Sequence, residues 1–311
     1  GAQAPALPHG RDISAVMQLI WNGLIVGSFY ALVALGYSMV YGIIKLLNFA
    51  HGDIYMLGAF VGFFTLSAFG ISSETSIPLL LIILLLSMVT TGLIGVGIER
   101  IAYRPLRNSP RLAVLITAIG VSFTLEYGVR QLFGPNPEAF PIRLESTGFD
   151  ALGVRVTGSQ IVLVVIAAVL MLVLAHIVER TRQGRAMRAI ALDPQAAQLM
   201  GVNVNRVIAT VFFIGSALAG AAGVMAGAYY GSIDFLMGFV IGLKAFTAAV
   251  IGGIGNLYGA MLGGLLLGLL ESFGAAWFGG EWRDVFSFAF LILFLTFKPT
   301  GLLGARVVER M

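Results

Sequence analysis

"SFYALVALGYSMVYGIIKLLNFAHGDIYMLGAF", residues 28–60, is apolar at both ends and broken in the middle by Lys45, Asn48, His51 and Asp53. An uncharged apolar run of about 20 residues is the length that crosses the hydrocarbon of a bilayer. The stretch therefore reads as two membrane spans joined by a short polar break. Working outward, the same alternation recurs to the end of the chain. Candidate spans lie at 17–41, 53–70, 77–98, 113–133, 159–178, 208–230, 239–252, 257–276 and 283–298. The pair around 239–276 is short and interrupted by "GGIGNLYG", so it reads as two spans or as one broken element, giving eight or nine in all.

Composition agrees with an all-α, polytopic transmembrane helical bundle. The 311 residues are 58% hydrophobic and 11% charged, with a mean hydropathy of +0.94 and 40 glycines. Soluble domains carry about 25% charged residues, and glycine lets membrane helices approach closely. The net charge of +4 does not point to nucleic acid, because twelve of the nineteen basic residues sit in three segments between or after spans: 99–111, 179–206 and 298–311. A nine-span path puts all three on one side, which the positive-inside rule makes cytoplasmic. The N-terminal tail (1–16) and the proline-bearing loop 134–158 then face outward, and the tail after residue 298 faces the cytoplasm. Residues 1–12 read as a flexible tail, either the remainder of a cleaved leader or an appended sequence. "GAFVG" (58–62) and "GAMLG" (259–263) each follow a glycine-bearing break, a hint of duplicated halves with interrupted helices.

Several chemistries are absent from the sequence. The lysines, Lys45, Lys244 and Lys298, are followed by Leu, Ala and Pro, so no Walker A loop is present. The three histidines form no HExxH pair, there is no G-x-S-x-G elbow, and there is no cysteine. The chain reads as non-catalytic, with no metal site.

Two segments carry candidate function. In "GRAMRAIALDPQAAQLMGVNVNRV" (184–207), Asp193-Pro194 is a helix start, Ala196, Ala197, Leu199 and Met200 make one or two amphipathic turns, and Gly201 is a stop. Arg185 and Arg188 precede the cap. Such a knob suits docking by another protein, the alternative being a helix lying on lipid headgroups. The breaks at 45–53 and 249–260 are candidates for a pathway or gate, through Asn48, His51, Asp53, Lys244, Thr247, Gly253, Gly255 and Asn256. The competing reading makes Asn48 and Asp53 helix caps at a turn, with His51 in headgroup water, and has Lys244 snorkel to the interface rather than pair with Glu271 or Asp234. Glu126, inside a span, is expected to pair with Arg130 one turn on.

The motifs in order resemble a known family. "SFYALVALGYSMVYGIIKLLNFAHGDIYMLGAF", "ERIAYRPLR" (99–107), "ITAIGVSF" (116–123), "GLKAFTAAVIGGIGNLYGAMLGGLLLGLLE" (242–271) and "KPTGLLG" (298–304) are similar to the H-type permeases of high-affinity branched-chain amino acid importers of the ABC class. The resemblance implies a bacterial inner-membrane subunit that forms the translocation pathway. It implies a second, paralogous M-type permease, two cytoplasmic ATPase subunits that hold ATP and Mg, and an extracytoplasmic amino-acid-binding protein. It also makes 193–201 the coupling helix, with no cofactor bound by this chain. Relatives serving urea, short amides or other amino acids remain open. A stand-alone secondary transporter is the rival of another class; it would need ionisable groups deep in several spans, and only Glu126, Lys244 and Glu271 qualify.

Overall fold

The computed structural model describes residues 13–70, 77–142, 148–151 and 154–304; the tail at 1–12 and the last basic residues, Arg306 and Arg310, lie outside them. The described residues form eleven α-helices. These are α1 (Ile13–Ile44), α2 (His51–Ala68), α3 (Ile77–Ile98), α4 (Arg111–Phe133), α5 (Gly158–Arg180), α6 (Arg182–Leu192), α7 (Pro194–Leu199), α8 (Val204–Tyr230), α9 (Met237–Gly252), α10 (Leu257–Phe278) and α11 (Arg283–Phe297). Each of the nine apolar runs becomes one helix. Six are long and apolar enough to cross a membrane: α1, α3 with its continuation to Leu106, α4, α5, α8 and α10. The stretch around 239–276 resolves into two helices, and α9, with 16 residues, spans only about 24 Å at 1.5 Å per residue.

The bundle is layered. Helices α1 and α8 are buried along most of their length, whereas α3, α4 and α5 expose apolar side chains such as Leu93, Ile116 and Leu172. With lipid tails outside, little hydrophobic force draws the inner helices together, so close backbone packing must hold them. The antiparallel seam between α1 and α10 is the clearest case. A Cβ on Gly264 would lie 2.4 Å from the Ala31 Cα, and one on Gly27 would lie 2.9 Å from the Leu265 Cα. The glycine steps in these two helices are what allow that approach.

The two ends of the bundle differ. At one, Gln18 bonds the Arg155 carbonyl and amide, Trp21 donates to Gln160 at 2.9 Å, and short antiparallel ribbons form between β1 (Glu138–Ala139) and β4 (Ser232–Ile233) and between β2 (Gly148–Ala151) and β3 (Val154–Thr157). Thr157 and Gln160 cap the start of α5 reciprocally. The other end gathers the arginine-rich segments and is called the basic end below. There α3 runs into a π-turn at Glu99–Tyr103 and a 3₁₀ turn at Arg104–Leu106. Glu99, fully buried, holds this elbow by pairing with Arg104 at 2.7 Å and with Arg107, and Arg107 also donates to Asn205 at the start of α8.

The two breaks are built differently. Helix α10 folds back along α9, with Gly252 against Gly259 and Gly263 against the Ala248 carbonyl, whereas α2 leaves α1 to pack on α8 and α9. Residues 298–304 close over the second break: the Leu302 and Leu303 amides bond the Ile251 and Gly252 carbonyls at 2.8 and 2.9 Å. Gly301 packs there against Gly253, at positive φ of 78° and 104°, a backbone that excludes other residues.

Candidate functional site

The site residues read from sequence separate into three groups. The first surrounds the α1–α2 break. Helix α1 ends at Ile44, Lys45 follows it in the left-handed region at φ 55°, and α2 begins at His51 with Ala50 as an unassisted cap. Asp53 therefore sits inside the first turn and does not cap it. Asn48, His51 and Asp53 are all buried. The expectation of caps with His51 in headgroup water is corrected on both counts, because tertiary packing of α1, α4, α8 and α9 covers this turn. The Asn48 Oδ1 accepts from the Tyr103 hydroxyl at 2.6 Å, and the His51 ring meets Tyr37 edge-on at 4.8 Å. A Cβ on Gly36 would stand 2.1 Å from His51 Nε2, so the imidazole fits only because α1 carries glycine there.

Asp53 faces the Ser122 hydroxyl and the Glu126 carboxyl of α4. Glu126 is buried, and the expected pair with Arg130 does not form: the Arg130 guanidinium lies over the Tyr127 and Phe235 rings at 5.8 and 5.6 Å. Rotation of α4 in the bundle, invisible in sequence, turns Glu126 inward and Arg130 out. Asp53 Oδ1, Glu126 Oε1, His51 Nε2 and Asn48 Nδ2 have no hydrogen-bond partner.

The second group is an ion network centred on Lys244. Lys244 does not snorkel; it is 4% exposed and pairs with Glu271 of α10 at 3.0 Å and Asp284 of α11 at 2.7 Å. Its ammonium lies 5.8 Å from the Tyr30 ring centroid, and the Tyr30 hydroxyl and Ser287 hydroxyl both donate to Glu271. Asp234, the other partner considered, accepts from the Leu236 amide instead. Asp284, Tyr30 and Ser287 escaped the sequence reading, although an acid opening the last apolar run was a usable signal for Asp284. Thr247, wholly buried, donates to its own helix at the Leu243 carbonyl.

The third group lies at the basic end. Asp193 accepts from the Gln195 and Ala196 amides at 2.9 and 3.0 Å, and Pro194 opens α7. Ala197 is buried and seats the helix, and Gly201 at φ 84° ends it. Leu199 and Met200 are 89% and 85% exposed. Arg185 is exposed, whereas Arg188 donates to the Val178 carbonyl and so braces α5. Helix α6, missed as a separate element, packs Met187 and Ile190 inward and leaves Leu192 89% exposed beside the knob.

A cleft of about 510 Å³ joins this group to the second break, bounded by Gly42, Met187, Arg188, Gly255, Asn256 and Tyr258 among others. Asn256 caps α10 through the Gly259 amide and donates to the Leu303 carbonyl, and Gly255 donates to Ser38. Gly253 lies under the 301–304 segment. Tyr258 reaches Glu179 across the cleft mouth at 2.6 Å.

Helices packed through glycine, ionisable groups turned inward and six helices of membrane-crossing length fit a polytopic membrane permease. Comparison with known proteins agrees. The family described as "Branched-chain amino acid transport system / permease component" matches residues 19–295. The high-affinity branched-chain amino acid transport system permease protein BraD of Pseudomonas aeruginosa is 45% identical, over 96% of this chain and 99% of its own. LivH of Escherichia coli, named for the same kind of system, is 44% identical over 95% and 97% of the two chains. LivM of Escherichia coli is 25% identical over 88% of this chain and 67% of its own. The chain belongs to the branched-chain amino acid transport permease family.

Proposed function

We propose that this chain is one of two permease subunits of an ATP-driven importer, that it carries branched-chain or similarly apolar amino acids, and that α7 couples it to a partner ATPase. The basic end faces the cytoplasm, in keeping with its arginines. The second permease is a paralogue, a reading supported by the likeness to LivM. Two ATPase subunits, binding ATP and Mg, and an extracytoplasmic binding protein complete the assembly.

The observation that carries the reading is the exposure of Leu199 and Met200 on a helix fixed at both ends by Asp193 and Gly201. Apolar side chains held rigid and bare call for a partner surface. A motor can drive the permease only if it contacts its two states differently, and α6 gives α7 a direct link to the cleft and the second break. Arg185, beside the knob, supplies a charged rim to that contact. The test is ATP hydrolysis by the reconstituted complex with its binding protein, screened over leucine, isoleucine, valine, phenylalanine, urea and glutamate. Stimulation by the branched-chain members is expected; stimulation by urea or glutamate alone would reassign the substrate, and uptake without any ATPase would reject the reading.

A further inference from the structure

We propose that a recess between α3 and α8, at the basic end, holds the phosphate headgroup of an anionic phospholipid. This goes beyond the importer reading and rests only on α3 crossing a bilayer. The recess encloses about 450 Å³, and Arg100, Arg104 and Arg206 line it together with Asn203, Asn205 and Thr210. No Asp or Glu lines it. Among the described residues neither Arg100 nor Arg206 forms an ion pair, and Glu99 beside them is buried and already shared by Arg104 and Arg107. The asparagines add donors rather than acceptors. Asn203 Oδ1 accepts from the Arg206 amide at 3.0 Å and Asn205 Oδ1 accepts from Arg107 at 2.6 Å, which leaves each side chain its NH2 group to donate. Guanidinium and amide donors with no competing acid are the chemistry that recognises a phosphate.

Depth and surroundings select a lipid among phosphates. Helix α3 runs apolar for 22 residues, Ile77–Ile98, about 33 Å at 1.5 Å per residue, against a hydrocarbon core of about 30 Å. Arg100 therefore stands at the level of the headgroups, where basic recesses between helices attract anionic lipid. Val96, Ala209 and Phe213 complete the lining and give it an apolar side. Beyond Val96 the outer face of α3 continues apolar, with Leu93 61% exposed. A Cβ on Gly97 would meet nothing within 4 Å, so the helix is notched beside the recess, where an acyl chain can lie. A soluble phosphate compound or an ATPase surface has no use for an apolar track leading into the bilayer. The recess also joins two moving parts: Asn203 caps α8 two residues after Gly201 ends α7, and Arg100 and Arg104 belong to the elbow that follows α3. A bound headgroup ties that elbow to the root of α7.

The test uses the complete complex in nanodiscs of phosphatidylcholine, doped with phosphatidylglycerol or phosphatidylcholine carrying a photoactivated diazirine in the acyl chain near the headgroup. After illumination, mass spectrometry should find adducts at 93–101 or 206–213, about tenfold or more enriched with the phosphatidylglycerol probe. Unlabelled phosphatidylglycerol should displace them and inorganic phosphate should not. Equal labelling by the two probes overturns the proposal, and it needs no variant. Displacement by inorganic phosphate as effective as by phosphatidylglycerol overturns the lipid assignment in favour of a soluble phosphate. Arg100→Gln combined with Arg206→Gln should cut the enrichment to about twofold or less. Arg180→Gln with Arg182→Gln, which removes two exposed arginines elsewhere at the same end, should leave it unchanged. If the first double variant keeps its enrichment but loses the co-purifying ATPase, the recess belongs to the ATPase and the proposal fails.

Discussion

At the scale of single residues, the polar turn at 48–53 is where packing tolerates least. Tyr103→Phe removes the hydroxyl bonded to Asn48 Oδ1 and leaves a buried amide, already lacking a partner at Nδ2, with neither. Burying an unpaired polar group costs about 1–3 kcal/mol, so the thermal midpoint in detergent should fall. Gly36→Ala forces a methyl against the His51 imidazole, with an expected cost of about 1–3 kcal/mol from overpacking. Combining it with His51→Ala should lose less than the two singles added, because the clash exists only while both groups are present. A double-variant loss equal to the sum of the two single losses would show that the strain lies elsewhere.

At the scale of elements, the Lys244 network ties α1, α9, α10 and α11 through one ammonium. Lys244→Met leaves Glu271 buried without its cation, and removing one partner of a buried pair costs about 3–5 kcal/mol. The double variant Lys244→Met with Glu271→Gln should recover much of that, because no charge is then stranded. Asp284→Asn should be the mildest, since Asp284 is 57% exposed and water can replace the interaction. Thermal unfolding of the purified permease pair orders the three. The sequence placed these helices well, because an apolar run of membrane length is a local signal. The pairing of Lys244, the inward turn of Glu126 and the burial of His51 were not legible, since each depends on how helices distant in sequence rotate against one another. Asp193 to Gly201 was legible for the opposite reason: a cap, a proline and a terminal glycine act within a single turn.

At the scale of the whole molecule, the outer helices meet lipid while the inner ones meet through glycine, and the basic end presents the one knob argued to receive force. Leu199→Asp or Met200→Asp should abolish co-purification of the ATPase while leaving the thermal midpoint of the isolated permease within error, as neither side chain is packed. Intact co-purification would remove α7 from the coupling role. The seam between α1 and α10 also has a consequence for biosynthesis. Helix α1 leaves the ribosome well before α10, which packs closely on it, and the hydrogen bonds at Leu302 and Leu303 form later still. During translation the small-residue groove of α1 must wait, open to lipid or to an insertion chaperone, until α10 arrives. Prematurely terminated chains would then be natural substrates for membrane proteases, and quality control could recognise them by that unfilled groove.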